Sequence, residues 1–164
     1  DAGALEPDDA IRDAVREHGR CVLTPHVGEA ARLLGRPAPE VLDDPLVSAE
    51  ALAERFGATC VLKGAGAVIA APDGRQAVST RGHPGMAVGG TGDVLAGLLG
   101  TFLADGDPFQ RACAGAFVHG HAGERAGEAR GVGLVADDVG EALPAAVEAI
   151  AWETAWRAGR GGPC

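Results

Sequence analysis

One stretch of the sequence, GHPGMAVGGTGDVLAG at residues 82–97, constrains the fold more than any other. Residues 89–92 read GGTG, and glycine lets the backbone approach a ligand closely and adopt positive φ angles. Apolar residues then recur at helical spacing, which predicts a helix that begins near Thr91 to Asp93. These apolar residues are Val94, Leu95, Leu98, Leu99, Phe102 and Leu103.

A glycine loop that runs into a helix is a candidate anion site. The first N–H groups of a helix lack partners within the helix, and its N-terminus carries a partial positive charge. Asp93 would stand beside a bound anion, where its carboxylate could take a proton from an attacking hydroxyl. Taken alone, the letters GGTGD fit an ordinary glycine turn equally well, with Asp93 as a plain helix-start residue.

Strand-like and helix-like segments alternate along the chain. Buried strands are predicted at 21–23 and 59–62, and a hairpin at 67–71 and 75–80. Further helices are predicted at 7–18, 27–34, 48–56 and 109–128, and from Asp137 with a restart at Pro144. Residues 36–45, with three prolines, are expected to form a surface connection, and Ser48 to cap the helix that follows. The alternation predicts an α/β sandwich whose mostly parallel sheet carries one antiparallel hairpin.

Composition narrows the class of protein. The 164 residues suffice for one domain with a real core. A net charge of −9 without a dense Lys/Arg block argues against a nucleic-acid partner or an anionic membrane surface. No apolar run reaches the roughly 18 residues that a membrane span requires. The four cysteines lack CxxC spacing, which argues against a zinc site or redox pair and fits a cytoplasmic protein.

Two further segments hold candidate site residues at predicted strand ends, where α/β sheets bind ligands. His26 follows the first strand with Glu29 three residues on; alternatively, the pair is a helix cap and a solvated first-turn carboxylate. Lys63 begins the segment KGAG after the second strand, where its charge and the glycine N–H groups could meet phosphates. A tight turn with a solvated Lys63 is the alternative, and the segment is not a Walker A loop.

A group of polar residues further on could be interpreted as a metal cluster. His121 and Glu124 share a helical face with Glu128, and His119 lies two residues earlier. Because nothing else marks a metal site, we expect a polar helix face instead.

The stretch 82–97 resembles the signature of the ADP-dependent NAD(P)H-hydrate dehydratases, which have a ribokinase-like fold. Four other segments resemble the same family in the family's order: TPHVGEAARLL at 24–34, VLKGAGAVIA at 61–70, FVHGHAGERA at 117–126 and GLVADDVGEALPAAV at 133–147. The resemblance covers nearly the whole chain. It implies a three-layer α/β/α sandwich.

The resemblance also implies a reaction and a set of roles. In this family ADP phosphorylates the ring hydroxyl of hydrated NADH or NADPH, and loss of phosphate restores the double bond, leaving AMP. Asp93 would act as base and contact the substrate together with His26, and Mg²⁺, with Glu29 as a candidate ligand, would offset charge. The implied nucleotide contacts are Lys63, Gly64, Ala65, Gly66, Ala67 and Gly92, and the implied anion hole is the backbone of Gly90, Thr91 and Gly92.

Alternatives remain open at the level of sequence. A ribokinase-like kinase for a vitamin precursor would leave a stable phosphorylated product, although His26 and the GHPGM run argue against it. A catalytically silent nucleotide-binding fragment is the second alternative. The sequence does not decide whether ADP or ATP is used, or whether NADH hydrate or NADPH hydrate is preferred. It also leaves open whether the chain forms a homo-oligomer and whether an epimerase is fused to it or separate.

The first residue is Asp1, and the opening DAGAL resembles a segment from the middle of the family's domain. We therefore expect residues 1–157 to be the C-terminal portion of one domain whose N-terminal part is missing, and 158–164 to be a disordered tail. Expressed alone, such a chain is expected to be poorly soluble or associated, and inactive.

Overall fold

The computed structural model of the chain describes Gly3 and residues 5–157, the side chains of 152–157 excepted. The predicted tail at 158–164 lies outside the described residues. The helices are α1 (Asp9–His18), α2 (Val27–Leu34), α3 (Ala38–Asp43), α4 (Pro45–Phe56), α5 (Thr91–Phe102), α6 (Pro108–Arg130) and α7 (Ala136–Arg157). The strands are β1 (Val22–Leu23), β2 (Thr59–Leu62), β3 (Ala67–Ala70) and β4 (Gln76–Ser79). Within this part of the chain, none of the helices is long and apolar enough to cross a membrane.

The strands form a mixed sheet in the order β1-β2-β3-β4. β1 and β2 pair in parallel, whereas β2 with β3 and β3 with β4 pair antiparallel. The predicted hairpin is therefore confirmed, with Val68 opposite Val78 in its register. Beyond the strand ends, His26 and Lys63 add one more parallel bridge, so the chain segments that leave β1 and β2 stay side by side.

Helices cover both faces of the sheet, which gives the predicted three layers. Cys60 and Leu62 of β2 pack in a core with residues of α2, α3 and α4. Between them, Val61 faces the opposite way and joins a second core with Leu95 of α5 and Ala116 of α6. This alternation follows from the two-residue period of a strand, and it explains why all four residues of β2 are apolar or small and buried.

The segment 36–45 lies mostly at the surface, as predicted, but it is helical instead of an irregular connection, because α3 and the start of α4 occupy it. Prolines are tolerated in the first turn of a helix, where the N–H that they lack would have no partner within the helix. Pro45 opens α4, and Asp44 caps it by accepting a hydrogen bond from the Val47 N–H at 3.1 Å. Ser48, predicted as the cap, is buried inside α4. The fully buried Val41 anchors α3 to the core.

Pro144 does not restart a helix, since α7 runs through it without a break. Proline removes one backbone hydrogen bond, and burial on either side can compensate for that loss. Val139 and Ala146 flank Pro144, are fully buried, and pack in a third core with Ala122 and Ala126 of α6. Packing on α6 therefore keeps the helix continuous.

Arg75 ties the hairpin to the start of α6. Its guanidinium donates two hydrogen bonds to Asp107, both at 3.0 Å, and others to Asp73 at 2.9 and 3.0 Å. It also lies 4.8 Å from the ring centroid of Phe109. Asp107 is the N-cap of α6 as well, so one carboxylate joins a helix end to the hairpin turn. Hydrogen bonds from Arg75 lower the pKa values of both carboxyl groups.

We expect Arg75→Gln to lower the free energy of unfolding near neutral pH and to have little effect at about pH 2–3. A carboxyl pKa that is lowered by folding contributes stability above the ordinary Asp range and loses it as pH falls through the folded pKa. Urea denaturation of both proteins at the two pH values measures this. Arg12→Gln, which breaks contacts with Asp9 and Asp13 of its own helix, is the matched control and should cost less. If Arg75→Gln lowered the free energy of unfolding equally at both pH values, the loss would be assigned to the contact with Phe109 and not to the two carboxylates.

Candidate functional site

The carboxyl ends of β1 and β2 bring the first two predicted site segments together. The Lys63 N–H donates to the Pro25 carbonyl at 2.8 Å, directly beyond the paired strands. His26 therefore stands next to Lys63 at the edge of the sheet. This is the edge at which open α/β sheets bind their ligands.

His26 and Glu29 form a reciprocal cap at the start of α2. His26 Nδ1 accepts from the N–H groups of Gly28 at 3.0 Å and Glu29 at 3.3 Å, and Glu29 Oε2 accepts from the His26 N–H at 2.7 Å. Since Nδ1 accepts, the proton of the neutral ring is on Nε2, which lies 3.5 Å from Glu29 Oε1. The His26 side chain is 57% exposed, whereas Glu29 is 5% exposed as a residue. The capping interpretation is correct for His26, but the expectation of a solvated Glu29 is wrong, because Glu29 is buried.

The glycine loop enters α5 as the sequence predicts, with one difference in detail. The left-handed residue is Gly90, with φ of +96°, whereas Gly92 is already inside the helix. A Cβ on Gly90 would lie 2.9 Å from that of Ala136, so both the backbone angle and the space require glycine. No side chain caps this helix, and Asp93 lies in its first turn. The start of α5 is thus an uncapped helix N-terminus with a carboxylate beside it.

Thr91, at the first position of α5, is buried and fixed from two sides. Its hydroxyl lies 2.9 Å from the Met86 carbonyl oxygen and 3.1 Å from that of Val88, to which it can donate. Its own carbonyl lies 2.9 Å from Nε2 of His119 on α6. A carbonyl oxygen only accepts, so His119 donates from Nε2. The sequence did not single out this contact.

The loop that precedes α5 lies against a row of glycines on α6. A Cβ on Gly120 would lie 2.6 Å from that of Arg81, and one on Gly123 or Gly127 would overlap Met86 or His83. The glycines occupy positions i, i+3 and i+7 of the helix and so share one face. This spacing is visible in the sequence and could have predicted a close contact.

Glu124, on the same helix, fastens the loop by hydrogen bonds. It accepts from the Arg81 guanidinium at 2.7 Å and from the Gly82 N–H at 3.2 Å, and His121 Nδ1 lies 3.3 Å away. Burial raises the pKa of Glu124, but these hydrogen bonds together lower it. The polar helix face is thus an anchor for the loop. Across the residues that the structure describes, no group of three or more His, Cys, Asp or Glu could hold a metal ion alone.

These segments line an open cavity of about 850 Å³. It brings together most of the residues singled out in the sequence: His26, Glu29, Lys63, Gly64, Ala65, Gly90, Thr91, Gly92 and Asp93. The segment 81–89 supplies much of the remaining wall. Gly66 and Ala67, also predicted as nucleotide contacts, are not among its lining residues. Ala67 begins β3, and Gly66 packs against the Ser79 carbonyl, where a Cβ would lie 3.0 Å away.

Lys63 carries a positive charge into this cavity. Burial lowers the pKa of Lys63, and the negative charges of Glu29 and Asp93 partly offset this. The two carboxylates are therefore close enough for their charges to act on the ammonium group. The cavity thus suits a ligand that carries both a phosphate and a hydroxyl. The cation and the uncapped helix N-terminus can bind the phosphate, and the first-turn carboxylate can accept the hydroxyl proton.

We expect Gly127→Ala to lower the free energy of unfolding by about 1–3 kcal/mol, because the new methyl group must displace His83 or α6. Gly97→Ala is the matched control, since Gly97 is exposed on α5 with open space around it. In that helix alanine should stabilise by about 0.5–1 kcal/mol. Urea denaturation measures both changes. Equal effects of the two variants would show that the loop does not depend on close contact with α6.

The fold and the cavity at the strand ends together define a ribokinase-like α/β domain. A hydroxyethylthiazole kinase from Pyrococcus horikoshii OT3 shares this fold with a TM-score of 0.64, covering 83% of this chain and 66% of its own, at only 20% identity. At that identity the likeness concerns the fold alone.

The chain belongs to the NAD(P)H-hydrate dehydratase family, whose family model matches residues 1–145. It is 43% identical over 145 residues to the ADP-dependent (S)-NAD(P)H-hydrate dehydratase of Neisseria meningitidis serogroup B, covering 87% of this chain and 48% of that protein. A solved ADP/ATP-dependent dehydratase from Bacillus subtilis, co-crystallised with ATP and Mg²⁺, has a TM-score of 0.74 at 32% identity. The match covers 78% of this chain and 47% of that one.

A bifunctional NAD(P)H-hydrate repair enzyme, Nnr of Escherichia coli K12, is 44% identical over 122 residues, which are 74% of this chain and 22% of that protein. The chain thus spans about half the length of the dehydratase relatives and less of the bifunctional one. These matches confirm the family that the motifs indicated.

Proposed function

We propose that this chain carries the catalytic residues of an enzyme that repairs hydrated NADH or NADPH by ADP-dependent dehydration. The observation that carries the proposal is the position of Asp93. It lies in the first turn of an uncapped helix and lines the same cavity as Lys63 and His26. A phosphate group and a hydroxyl would therefore meet between an anion site and a base.

The proposed chemistry replaces a poor leaving group by a good one. The ring hydroxyl of the hydrated nicotinamide gives its proton to Asp93, and its oxygen attacks the β-phosphorus of ADP. The bond from that phosphorus to the bridging oxygen breaks, and AMP leaves. The ring carbon then loses phosphate and its neighbour loses a proton, which restores the double bond. The products are NADH or NADPH, AMP and phosphate.

The backbone at the start of α5 is proposed to stabilise the charge that builds on the transferred phosphoryl group. The N–H groups of Thr91 and Gly92 belong to the four at a helix N-terminus that lack intrahelical partners. Phosphoryl transfer depends mainly on positioning and on electrostatic stabilisation, which fixed N–H groups provide without rearranging. Lys63 supplies a positive charge at the adjoining strand end, and the residues from Gly64 to Ala67 are proposed to continue the nucleotide site.

His26 is proposed to contact the hydrated nicotinamide. Its backbone N–H and Nδ1 are committed to the cap of α2, while Nε2 carries the proton 3.5 Å from Glu29 Oε1, and more than half of the side chain is exposed. Such a group can donate one hydrogen bond to a polar substituent of the ring. Because His26 and Asp93 line the same cavity, this hydrogen bond would hold the ring within reach of that carboxylate.

Mg²⁺ is proposed as the cofactor, with Glu29 as the candidate ligand. Mg²⁺ usually takes one or two carboxylates together with phosphate oxygens, which fits a cavity in which two carboxylates face a phosphate site. Glu29 Oε2 already accepts from the His26 N–H, so Oε1 is the Glu29 atom that would hold the ion. The ion would lower the repulsion between two anionic substrates.

We also propose that residues 1–157 are the C-terminal portion of one dehydratase domain. The supporting fact is that the chain covers 48% of the Neisseria relative. An epimerase could act beside this activity, fused or separate. Assays should therefore compare the chain alone with the chain extended by the coding sequence that precedes it in the genome.

Product analysis tests the proposed function. With ADP, Mg²⁺ and hydrated NADPH, the extended chain should restore the absorbance of the reduced nicotinamide and release AMP and phosphate in equal amounts. A stable phosphorylated vitamin precursor, formed in a parallel assay, would show a kinase instead. No product in either assay, with ADP still bound, would show a nucleotide-binding protein without this activity.

Asp93→Asn should lower kcat by about 10²- to 10⁴-fold, since the amide cannot accept the hydroxyl proton. ADP affinity should change little, because Asp93 is proposed to act on the hydroxyl. Steady-state kinetics and calorimetry with ADP measure the two effects. Turnover within a few-fold of the unaltered enzyme would remove Asp93 from the mechanism.

Gly92→Val should weaken ADP binding strongly, because a branched side chain would stand where the phosphate approaches the first turn of α5. Gly97→Val makes the same change further along the helix, at an exposed position with open space, and should leave ADP affinity unchanged. Calorimetry with ADP compares the two folded variants. Equal affinities would show that the nucleotide does not reach this turn.

A further inference from the structure

We propose that His119 is a positioning residue that aims the Gly92 N–H into the cavity by holding the Thr91 carbonyl. This inference rests on the proposed function for its kinetic consequence, but its structural part can be tested without it. His119 lies on α6 and is not among the residues that line the cavity. It therefore acts through the start of α5 and not on the substrate.

The peptide bond between Thr91 and Gly92 is planar. The Thr91 carbonyl and the Gly92 N–H belong to one planar trans unit, so they point in opposite directions and rotate together. His119 Nε2 donates to that carbonyl at 2.9 Å from one side. The Gly92 N–H must then point away from His119, and Gly92 lines the cavity.

This peptide unit needs such a restraint because of its neighbours. Gly90 and Gly92 flank Thr91, and glycine leaves the backbone more freedom than any other residue. The Thr91 hydroxyl restrains the loop by its contacts with Met86 and Val88. His119 restrains the following peptide, and hydrogen bonding at a carbonyl also polarises the unit, which strengthens its N–H as a donor. The two contacts together add to the hydrogen bonds of α5 in fixing the direction of this N–H.

The surroundings favour the neutral form of His119, in which Nε2 carries the single ring proton. Burial lowers the pKa of His119 and the nearby charge of Lys63 lowers it further, while the hydrogen bond to Thr91 acts in the opposite direction. Its Nε2 proton is therefore held by the carbonyl at neutral pH, and the ring is not a candidate for proton exchange with substrate.

Three substitutions at this position separate the hydrogen bond from the shape of the ring. His119→Phe keeps a ring and removes the donor. His119→Gln places an amide N–H close to the position of Nε2, whereas His119→Asn has a donor that is too short to reach. His18→Phe, on the exposed end of α1, is the control for the same chemical change away from the cavity.

The structural readout is the Gly92 amide signal in proton–nitrogen correlation spectra of the extended chain during titration with inorganic phosphate. In the unaltered chain and in His119→Gln the signal should shift with phosphate. In His119→Phe and His119→Asn the shift should be largely lost while the rest of the spectrum shows a folded chain. Equal shifts in all four proteins would overturn the proposal, whatever the activity of the enzyme.

The kinetic readout uses the extended chain. His119→Phe should lower kcat by about 10- to 100-fold with KM for hydrated NADPH within about 3-fold, because misplacement of one donor affects the transition state most. His119→Gln should recover most of kcat. Equal losses in Gln and Phe, or a loss confined to KM, would overturn the proposal. No turnover by the unaltered enzyme, with the phosphate shifts as expected, would count against the proposed function and support the positioning role.

Discussion

The site depends on the close contact between the loop before α5 and the glycine face of α6. Three glycines remove the side chains that would otherwise hold the loop away, and Glu124 binds it to the helix through Arg81 and Gly82. This contact sets where Gly90 turns and where α5 begins. Because α5 packs on the sheet through Leu95 and Leu99, its N-terminus is brought to the cavity that Lys63 and His26 also line. The geometry at the start of α5 therefore depends on contacts between segments that lie more than 20 residues apart in the sequence.

The cavity contains both negative and positive charges. An anion site that contained only cations would hold phosphate but offer no base, whereas Asp93 and Glu29 would repel phosphate if they stood alone. The helix N-terminus and Lys63 provide the compensating positive charge. Burial of Glu29 in the cap of α2 also fixes His26, so one carboxylate orients a second polar group of the cavity.

Much of the fold was predictable because its signals are local. Backbone preferences of single residues explain several of these signals. They account for the glycine ends of α1, α2 and α4, the hairpin at Asp73 and Gly74, and the start of α5. The predictions failed where tertiary packing decides: α3 forms because Val41 is buried, and α7 continues through Pro144 because its neighbours pack on α6. Most of the candidate site residues from the motifs line one cavity. The contacts of His119 and Glu124, however, depend on partners that lie 28 and 42 residues away in the sequence. No local pattern identifies such partners.

The central claim is that the ring oxygen leaves as part of phosphate, and the fate of that oxygen tests it most directly. Hydrated NADPH whose ring hydroxyl carries a heavy isotope of oxygen is incubated with ADP, Mg²⁺ and the extended chain. The released phosphate is then analysed by mass spectrometry. If the hydroxyl attacks phosphorus, each phosphate carries one labelled oxygen and the AMP carries none. Unlabelled phosphate, with the label in water, would contradict the account.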